Sequence, residues 1–262
     1  MKLATFNVNN INRRLPILLA WLEATSPDIV CLQELKCTDG QFPEQQILEA
    51  GYAAVWVGQS AWNGVAILAK NTEPVVTRRE LPGDPSDRQA RYLEAAVNGI
   101  IVGCLYAPNG NPQPGPKFDY KLHWHDRLNA HAKGLIESGL PVVLAGDFNV
   151  VPGPRDIYET RSYDDNALVQ PAVRASFRQL LNQGWTDALR AKHPSEMIYT
   201  FWDYRRKRWE RNAGLRIDHI LLSSRARLST AGVDNEVRAL EEASDHAPAW
   251  AVVRHPQRSS PH

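Results

Sequence analysis

Apolar positions along this 262-residue chain follow two rhythms that alternate from end to end. Short unbroken apolar runs, each stopped by a polar residue or a turn signal, have the length and composition of buried strands. They predict strands at Lys2–Asn7, Ile29–Gln33, Ala53–Val57, Val65–Ala69, Val75–Glu80, Tyr92–Val97, Ile100–Leu105, Pro141–Ala145, Ile217–Ser223 and Ala249–Arg254. Asn63-Gly64 marks a turn between two of these, and Asn98-Gly99 joins two others as a hairpin, because Asn-Gly accepts the left-handed backbone of a tight turn. Stretches with apolar residues three and four apart predict helices at Arg14–Ala24, Pro43–Ala50, Lys117–Glu137 and Val173–Gln183. Pro16 falls in the first turn of the first helix, where its missing N–H is tolerable.

Strands joined partly by hairpins and partly by helices do not make a simple βαβ repeat. Two packed sheets with helices outside satisfy the pattern better, giving an α/β chain with an αββα layering. Strand ends then gather at one rim, and functional groups are expected just past them. No internal repeat, low-complexity segment or linker interrupts the chain, so residues 1–255 are expected to form one domain and 256–262 a disordered tail.

Composition narrows the partners. With 43% hydrophobic and 23% charged residues the chain can bury a large core. A formal net charge of +1 means that any polyanion must meet a local basic patch. Cys31, Cys37 and Cys104 cannot all pair and form no CxxC motif, which reads as reduced, structural cysteine. The first residues turn polar too early for a signal peptide, and no apolar run reaches membrane-spanning length. A cytoplasmic protein with no membrane association is expected, with a monomer as the default.

Candidate chemistry sits at the strand ends. Gly146-Asp147-Phe148-Asn149 directly follows a central apolar run, which puts a carboxylate and a carboxamide two residues apart and facing the same way. Asn7 ends the first strand and Glu34 follows the second; Tyr106, with Asn109 in the next turn, follows another. Asp218 sits beside Ile220-Leu221-Leu222, and Asp245-His246 precedes the last strand. Alone, each has a plainer role as a turn former, cap or surface charge. Together, an oxygen-rich set with one histidine suits a hard divalent cation, Mg²⁺ or Mn²⁺, better than zinc. A second signal is Arg205-Arg206-Lys207-Arg208-Trp209-Glu210-Arg211, five basic residues in seven around an aromatic, which suits a phosphate backbone or a solvated loop.

These segments resemble the exonuclease III family of AP endonucleases, within the endonuclease–exonuclease–phosphatase superfamily. The likeness is carried by Phe6-Asn7, Leu32-Gln33-Glu34, Asn63-Gly64-Val65-Ala66-Ile67, Tyr106-Ala107-Pro108-Asn109-Gly110, Gly146-Asp147-Phe148-Asn149, Tyr199-Thr200-Phe201-Trp202-Asp203-Tyr204-Arg205, Leu215-Arg216-Ile217-Asp218 and Ser244-Asp245-His246-Ala247-Pro248, in family order. The resemblance implies a DNase I-like four-layer sandwich of two mixed sheets. It implies a Mg²⁺-dependent nuclease, with Mn²⁺ as substitute, that cuts double-stranded DNA 5′ to abasic sites, clears blocked 3′ ends and degrades from 3′ ends. Glu34, Asn7 and Asp245 are implied as metal ligands, with Asp147 and Asn149 joining them if a second ion acts. By the same resemblance, Asp147 is expected to position or deprotonate the attacking water and Asn149 to help orient it. His246, held by Asp218, is expected to meet the phosphate, as are Tyr106 and Asn109. The resemblance implies that Phe201 and Trp202 line an abasic-sugar pocket, with core packing the plainer alternative, and the place of the basic run favours DNA contact by Arg205, Arg206, Arg208 and Arg211. A same-fold phosphatase or phosphodiesterase on another substrate, or a non-catalytic nucleic-acid-binding relative, is the alternative. Asn9, Leu35 and His219 depart from the family pattern, where an acid, a small hydroxyl residue and an aromatic or aliphatic residue are common.

Overall fold

The computed structural model describes residues 1–254, so the expected tail at 256–262 lies outside the described residues. In chain order its elements are β1 (Lys2–Asn7), α1 (Ile11–Thr25), β2 (Ile29–Gln33), α2 (Glu44–Glu49), β3 (Tyr52–Val57), β4 (Val65–Lys70), β5 (Val75–Arg78), β6 (Tyr92–Val97) and β7 (Ile100–Tyr106). They continue as α3 (Pro116–Glu137), β8 (Val142–Asp147), α4 (Pro171–Asn182), β9 (Thr186–Asp187), α5 (Ala188–Lys192), β10 (Asp218–Leu222), β11 (Arg227–Val233) and β12 (Ala249–Arg254). One sheet runs β11-β12-β1-β2-β4-β3 and the other β5-β6-β7-β8-β10-β9. Each is mixed, with a single parallel pair at its centre, β1 with β2 and β7 with β8.

Alternation along the central strands explains the layers. Leu3, Ile29, Cys31, Ile67, Cys104, Val143 and Ala145 face the space between the sheets. Their neighbours Ala4, Val30, Leu32 and Leu68 face α1 and α2 through Leu18, Trp21, Leu22 and Ile47. On the far side, Leu105, Val142, Leu144 and Leu221 meet Trp124 and Leu128 of α3 and Phe177 and Leu180 of α4. Strands covered on both faces read as continuous apolar runs, and the four-layer sandwich follows. Truncating one of these fully buried leucines to alanine costs about 2–5 kcal/mol.

Boundaries shift for local reasons. Helix α1 begins three residues earlier than expected, because Asn10 caps it by accepting the Arg13 N–H at 3.1 Å. Pro16 therefore lies inside the helix, beyond its first turn. Strand β8 runs two residues further than expected, because Gly146 and Asp147 stay in register with Leu105 and Tyr106 on one side and with His219 and Asp218 on the other. The two central parallel pairs end together. Asn7 pairs in register with Gln33, and Tyr106 with Asp147, which also faces Asp218. The central parallel strands of both sheets thereby end at one rim, where the antiparallel β10 and β12 begin.

Candidate active site

Asp147 is the hub of that rim. The preceding Gly146 is required: a Cβ there would stand 1.9 Å from the Leu105 carbonyl oxygen, so only glycine lets β8 approach β7 this closely. The Asp147 carboxylate accepts the Asn7 Nδ2–H at 3.1 Å and the Asn149 backbone N–H at 2.8 Å. Asn149 has already left the strand, with φ 48°. Strand alternation is therefore not what places its side chain. Its amide donates to the Ala107 carbonyl at 2.9 Å and accepts from Asn109 Nδ2 at 3.1 Å.

Across the seam between the sheets, Asn7 Nδ2 also donates to Glu34 Oε1 at 2.9 Å. The other Glu34 oxygen pairs with Lys36 Nζ at 2.8 Å. Glu34 and Lys36 both adopt left-handed backbone, φ 53° and 52°, which costs on the order of 1 kcal/mol each and is common where a site stores strain. Lys36 donates to Asn9 Oδ1 at 2.7 Å, and Asn9 Nδ2 donates to Asp245 Oδ1 at 3.0 Å. Asn9 thus bridges Lys36 to Asp245, and Asp245 reaches Glu34 through this chain of contacts. Leu35 is fully buried in the apolar cluster beneath α1, an environment that favours an aliphatic side chain over a hydroxyl. His219 sits in the network behind the rim, accepting from Arg216 at Nδ1 and donating to the Val150 carbonyl from Nε2, 2.9 and 3.1 Å.

His246 closes the site. Its Nδ1 lies 2.8 Å from Asp218 Oδ2, and its Nε2 3.9 Å from Asp147 Oδ2. Asp218 is fixed by register with Asp147 and by its N–H bond to Thr200 Oγ1 at 3.1 Å. Burial opposes the imidazolium, but the Asp218 carboxylate, and after it Asp147 and Asp245, push its pKa up to about 10. Asp147 also departs from an ordinary carboxylate. Burial first, then the negative charge of Asp218, raises it to about 7. Burial opposes ionisation of Glu34 as well, but Lys36 and the Asn7 amide hold its carboxyl below the usual range. Tyr106 is pushed well above the usual phenol range by burial and by the Glu34 and Asp147 charges. The Arg91 guanidinium lies 4.8 Å over its ring.

Ligand atoms of Glu34, Asp147 and His246 lie within 4.8 Å of one another. An imidazole held protonated offers no lone pair to a metal. The usable donors are then carboxylate and amide oxygens, Glu34 and Asn7 foremost, which suit a hard divalent cation.

The aromatic and basic candidates divide. Phe201 is half-buried, with its ring centroid 4.9 Å from that of His246. Trp202 corrects the expectation of a pocket wall. It is fully buried, packs on Tyr199 and Trp209, and donates Nε1–H to Asn212 Oδ1 at 3.0 Å. Arg205, Arg206 and Arg211 are exposed. Arg208 is not. Its guanidinium lies 4.4 Å over Tyr163 and donates to Ser162 Oγ at 2.9 Å, so it ties the segment to the body instead of facing solvent. Lys36, Arg91 and Trp62 are site residues that the sequence reading missed. Trp62 is exposed at the mouth of a groove of about 410 Å³ that runs past Arg91, Tyr106, Asn109, Asn111 and Lys117. A basic residue two positions after Glu34 is the readable sign of Lys36; nothing local marks Arg91.

The Endonuclease/Exonuclease/phosphatase family model matches residues 4–246. Exodeoxyribonuclease III of Haemophilus influenzae is 34% identical, over 97% of this chain and 100% of its own length. The solved AP endonuclease of Archaeoglobus fulgidus superposes with TM-score 0.92 at 36% identity, covering 97% of this chain and 99% of the other. The 3′ phosphatase NExo from Neisseria, solved with a product DNA hairpin, gives TM-score 0.93 at 39% identity, with 97% and 99% coverage.

Proposed function

The chain belongs to the Endonuclease/Exonuclease/phosphatase family, and from that premise we propose how its rim performs DNA repair chemistry. It is a hydrolytic DNA repair nuclease of the exonuclease III type, a phosphodiester hydrolase on double-stranded DNA. We infer that it cuts 5′ to abasic sites to leave a 3′-hydroxyl, removes 3′-blocking groups and trims 3′ ends.

The observation that carries this reading is the line Asp218–His246–Asp147, in which one imidazole sits between two carboxylates at 2.8 and 3.9 Å. A water attacking phosphorus must lose a proton, and Asp147, with its pKa near 7, is poised to take it. Charge builds on the phosphoryl oxygens as the water adds. The protonated His246 faces that charge, and Asp218 keeps it protonated and oriented. The amides of Asn109 and Asn149 hold the phosphate and the water. A bound Mg²⁺, held by Glu34 and Asn7 with Asp245 on the Asn9 side, would neutralise phosphate charge and stabilise the leaving 3′-oxygen; Mn²⁺ fits the same oxygen donors. Exposed Arg205, Arg206 and Arg211 supply the local basic patch that a net charge of +1 requires for a polyanion. Phe201 offers the apolar surface for an abasic sugar beside His246. Work in a reducing cytoplasm fits three buried cysteines outside any disulfide, and a monomer is the default state.

The test is a duplex carrying one abasic-site analogue, incubated with enzyme and Mg²⁺ and then with EDTA. Incision should stop with EDTA, and Asp147→Asn should slow it by about 10²–10⁴ while duplex affinity stays. Incision that survives EDTA, or an Asp147→Asn rate within about threefold of wild type, would overturn the assignment.

A further inference from the structure

Helix α3 carries a lysine that none of the chemistry above uses. Lys121 is fully buried. Its Nζ donates to three backbone carbonyls, Pro108 at 3.1 Å, Asn109 at 3.0 Å and Asn149 at 2.5 Å. No carboxylate forms an ion pair with it among the described residues; burial pulls its pKa down to about 7, with the Asp147 charge pulling the other way. Three N–H donors meeting three carbonyls satisfy an ammonium completely, which is the condition for keeping such a group away from water.

Two of those carbonyls belong to residues whose side chains form the phosphate end of the rim. They come from different connections: Asn109 follows β7 and Asn149 follows β8. Above the lysine the same two residues are joined again, by Asn109 Nδ2 donating to Asn149 Oδ1 at 3.1 Å. The chain also makes room for the lysine. Gly110 has φ 88°, and a Cβ there would lie 2.6 Å from Lys121 Cδ, so the glycine serves both the left-handed turn and the passage of the stem. A buried ammonium is an expensive way to fill a core position that methionine would fill as well.

We propose that Lys121 is a positioning residue of the cleavage centre, fastening the Asn109 and Asn149 loops from beneath so that their amides stay aimed at the scissile phosphate. The inference rests on the nuclease reading above. It requires that removal of Lys121 act through the two asparagines, since misplacement by about 1 Å near reacting atoms can cost about 100-fold in rate.

A mutant cycle tests it. Single-turnover incision and duplex affinity are measured for wild type, Lys121→Met, Asn149→Ala and the double variant, below the melting temperature of each. Lys121→Met should slow incision about 10- to 100-fold with affinity within about threefold, and the double variant should be little slower than the slower single. A merely structural lysine would lower melting temperature and leave the two effects on rate independent. Folded Lys121→Met that cleaves within about threefold of wild type, or rate effects that multiply, overturn the inference. If Lys121→Met does not fold, Lys121→Gln, which keeps most of the stem and a donor but not the three-way grip, takes its place in the cycle: a double variant little slower than the slower single supports the inference, and multiplying effects overturn it. Wild type that cleaves nothing would overturn the nuclease reading itself.

Discussion

A carboxylate and an imidazole 3.9 Å apart are both more basic than usual, and both effects draw on Asp218. Its negative charge raises Asp147 by repulsion and His246 by attraction. Removing Asp218 therefore does two things at once. The buried imidazole loses its main reason to be charged, and Asp147 loses a repulsive neighbour. His246→Asn and Asp218→Ala should each slow incision by about 10²–10⁴. The pair acts as a unit, so the double variant should be little slower than the slower single. Single-turnover rates of all four proteins check this. Fully multiplicative effects would show two residues working independently, even if each matters. The residues around this unit are readable from the chain because each borders an apolar run: Asp147 closes one, Asp218 opens another and His246 stands just before a third. Asn149 is readable too, but for another reason than alternation: a turn, not the strand, aims it.

The Arg205–Arg211 segment shows what a sequence pattern can and cannot tell at the level of an element. Five basic residues in seven announce a charged surface, but the chain does not say which of them fold back. The turn at Arg205–Lys207 takes left-handed backbone at Arg206 and Lys207, φ 59° and 49°, leaving Arg205 and Arg206 in solvent while Arg208 swings under onto Tyr163. Two different outcomes follow. Arg205→Ala with Arg206→Ala should weaken duplex binding and flatten its salt dependence, by about 0.9 in the log–log slope for each phosphate no longer neutralised. Arg208→Ala should leave that slope alone and lower the melting temperature, because it removes the buried guanidinium that stacks on Tyr163. Affinity measured across a salt series, beside a thermal melt, separates them; a slope that falls for Arg208→Ala would return that residue to the DNA surface. Trp202 misleads for a similar reason: next to Phe201 in a matching motif, it points into the core instead. The central strands are legible because burial on both faces writes them as apolar runs. Edge strand β11 is not, since its mixed, partly exposed residues and a bulge after Leu228 break any rhythm, and two-residue β9 is too short to leave one.

At the scale of the whole molecule, the site exists only where the two sheets meet. Asn7 and Glu34 come from one sheet, Tyr106, Asp147 and Asp218 from the other, and His246 from the segment entering β12. A buried ionic network backs the second sheet. Arg216 donates to Asp156 and Asp187, both at 2.7 Å, and Arg190 reaches Asp156 at 2.5 Å. These contacts tie the turn after β8, the edge strand β9 and helix α5 to the residues leading into Asp218. Burial opposes ionisation of Asp187, but the Arg216 guanidinium outweighs it and holds the carboxyl well below the ordinary range; Asp156 is lowered in the same way. A carboxylate depressed in the folded state contributes stability above its unfolded pKa of about 3.9, and that contribution fades as pH falls below it. Asp187→Asn keeps the cap on α5, since the asparagine oxygen accepts the Arg190 N–H as Asp187 Oδ1 does, and removes the charge together with the Oδ2 acceptor that faces Arg216. At pH 7 it should cost about 3–5 kcal/mol, because Arg216 is left buried with one partner fewer. Below about pH 4 wild type should lose stability faster than the variant, so the gap between them should narrow. Urea unfolding followed by tryptophan fluorescence from about pH 7, where the contribution is full, down to about pH 2.5, well into the range below about pH 4 where it fades, measures both curves. A gap that stays constant across that range would mean that the Asp187 charge stabilises nothing, and that the network holds the second sheet by shape alone.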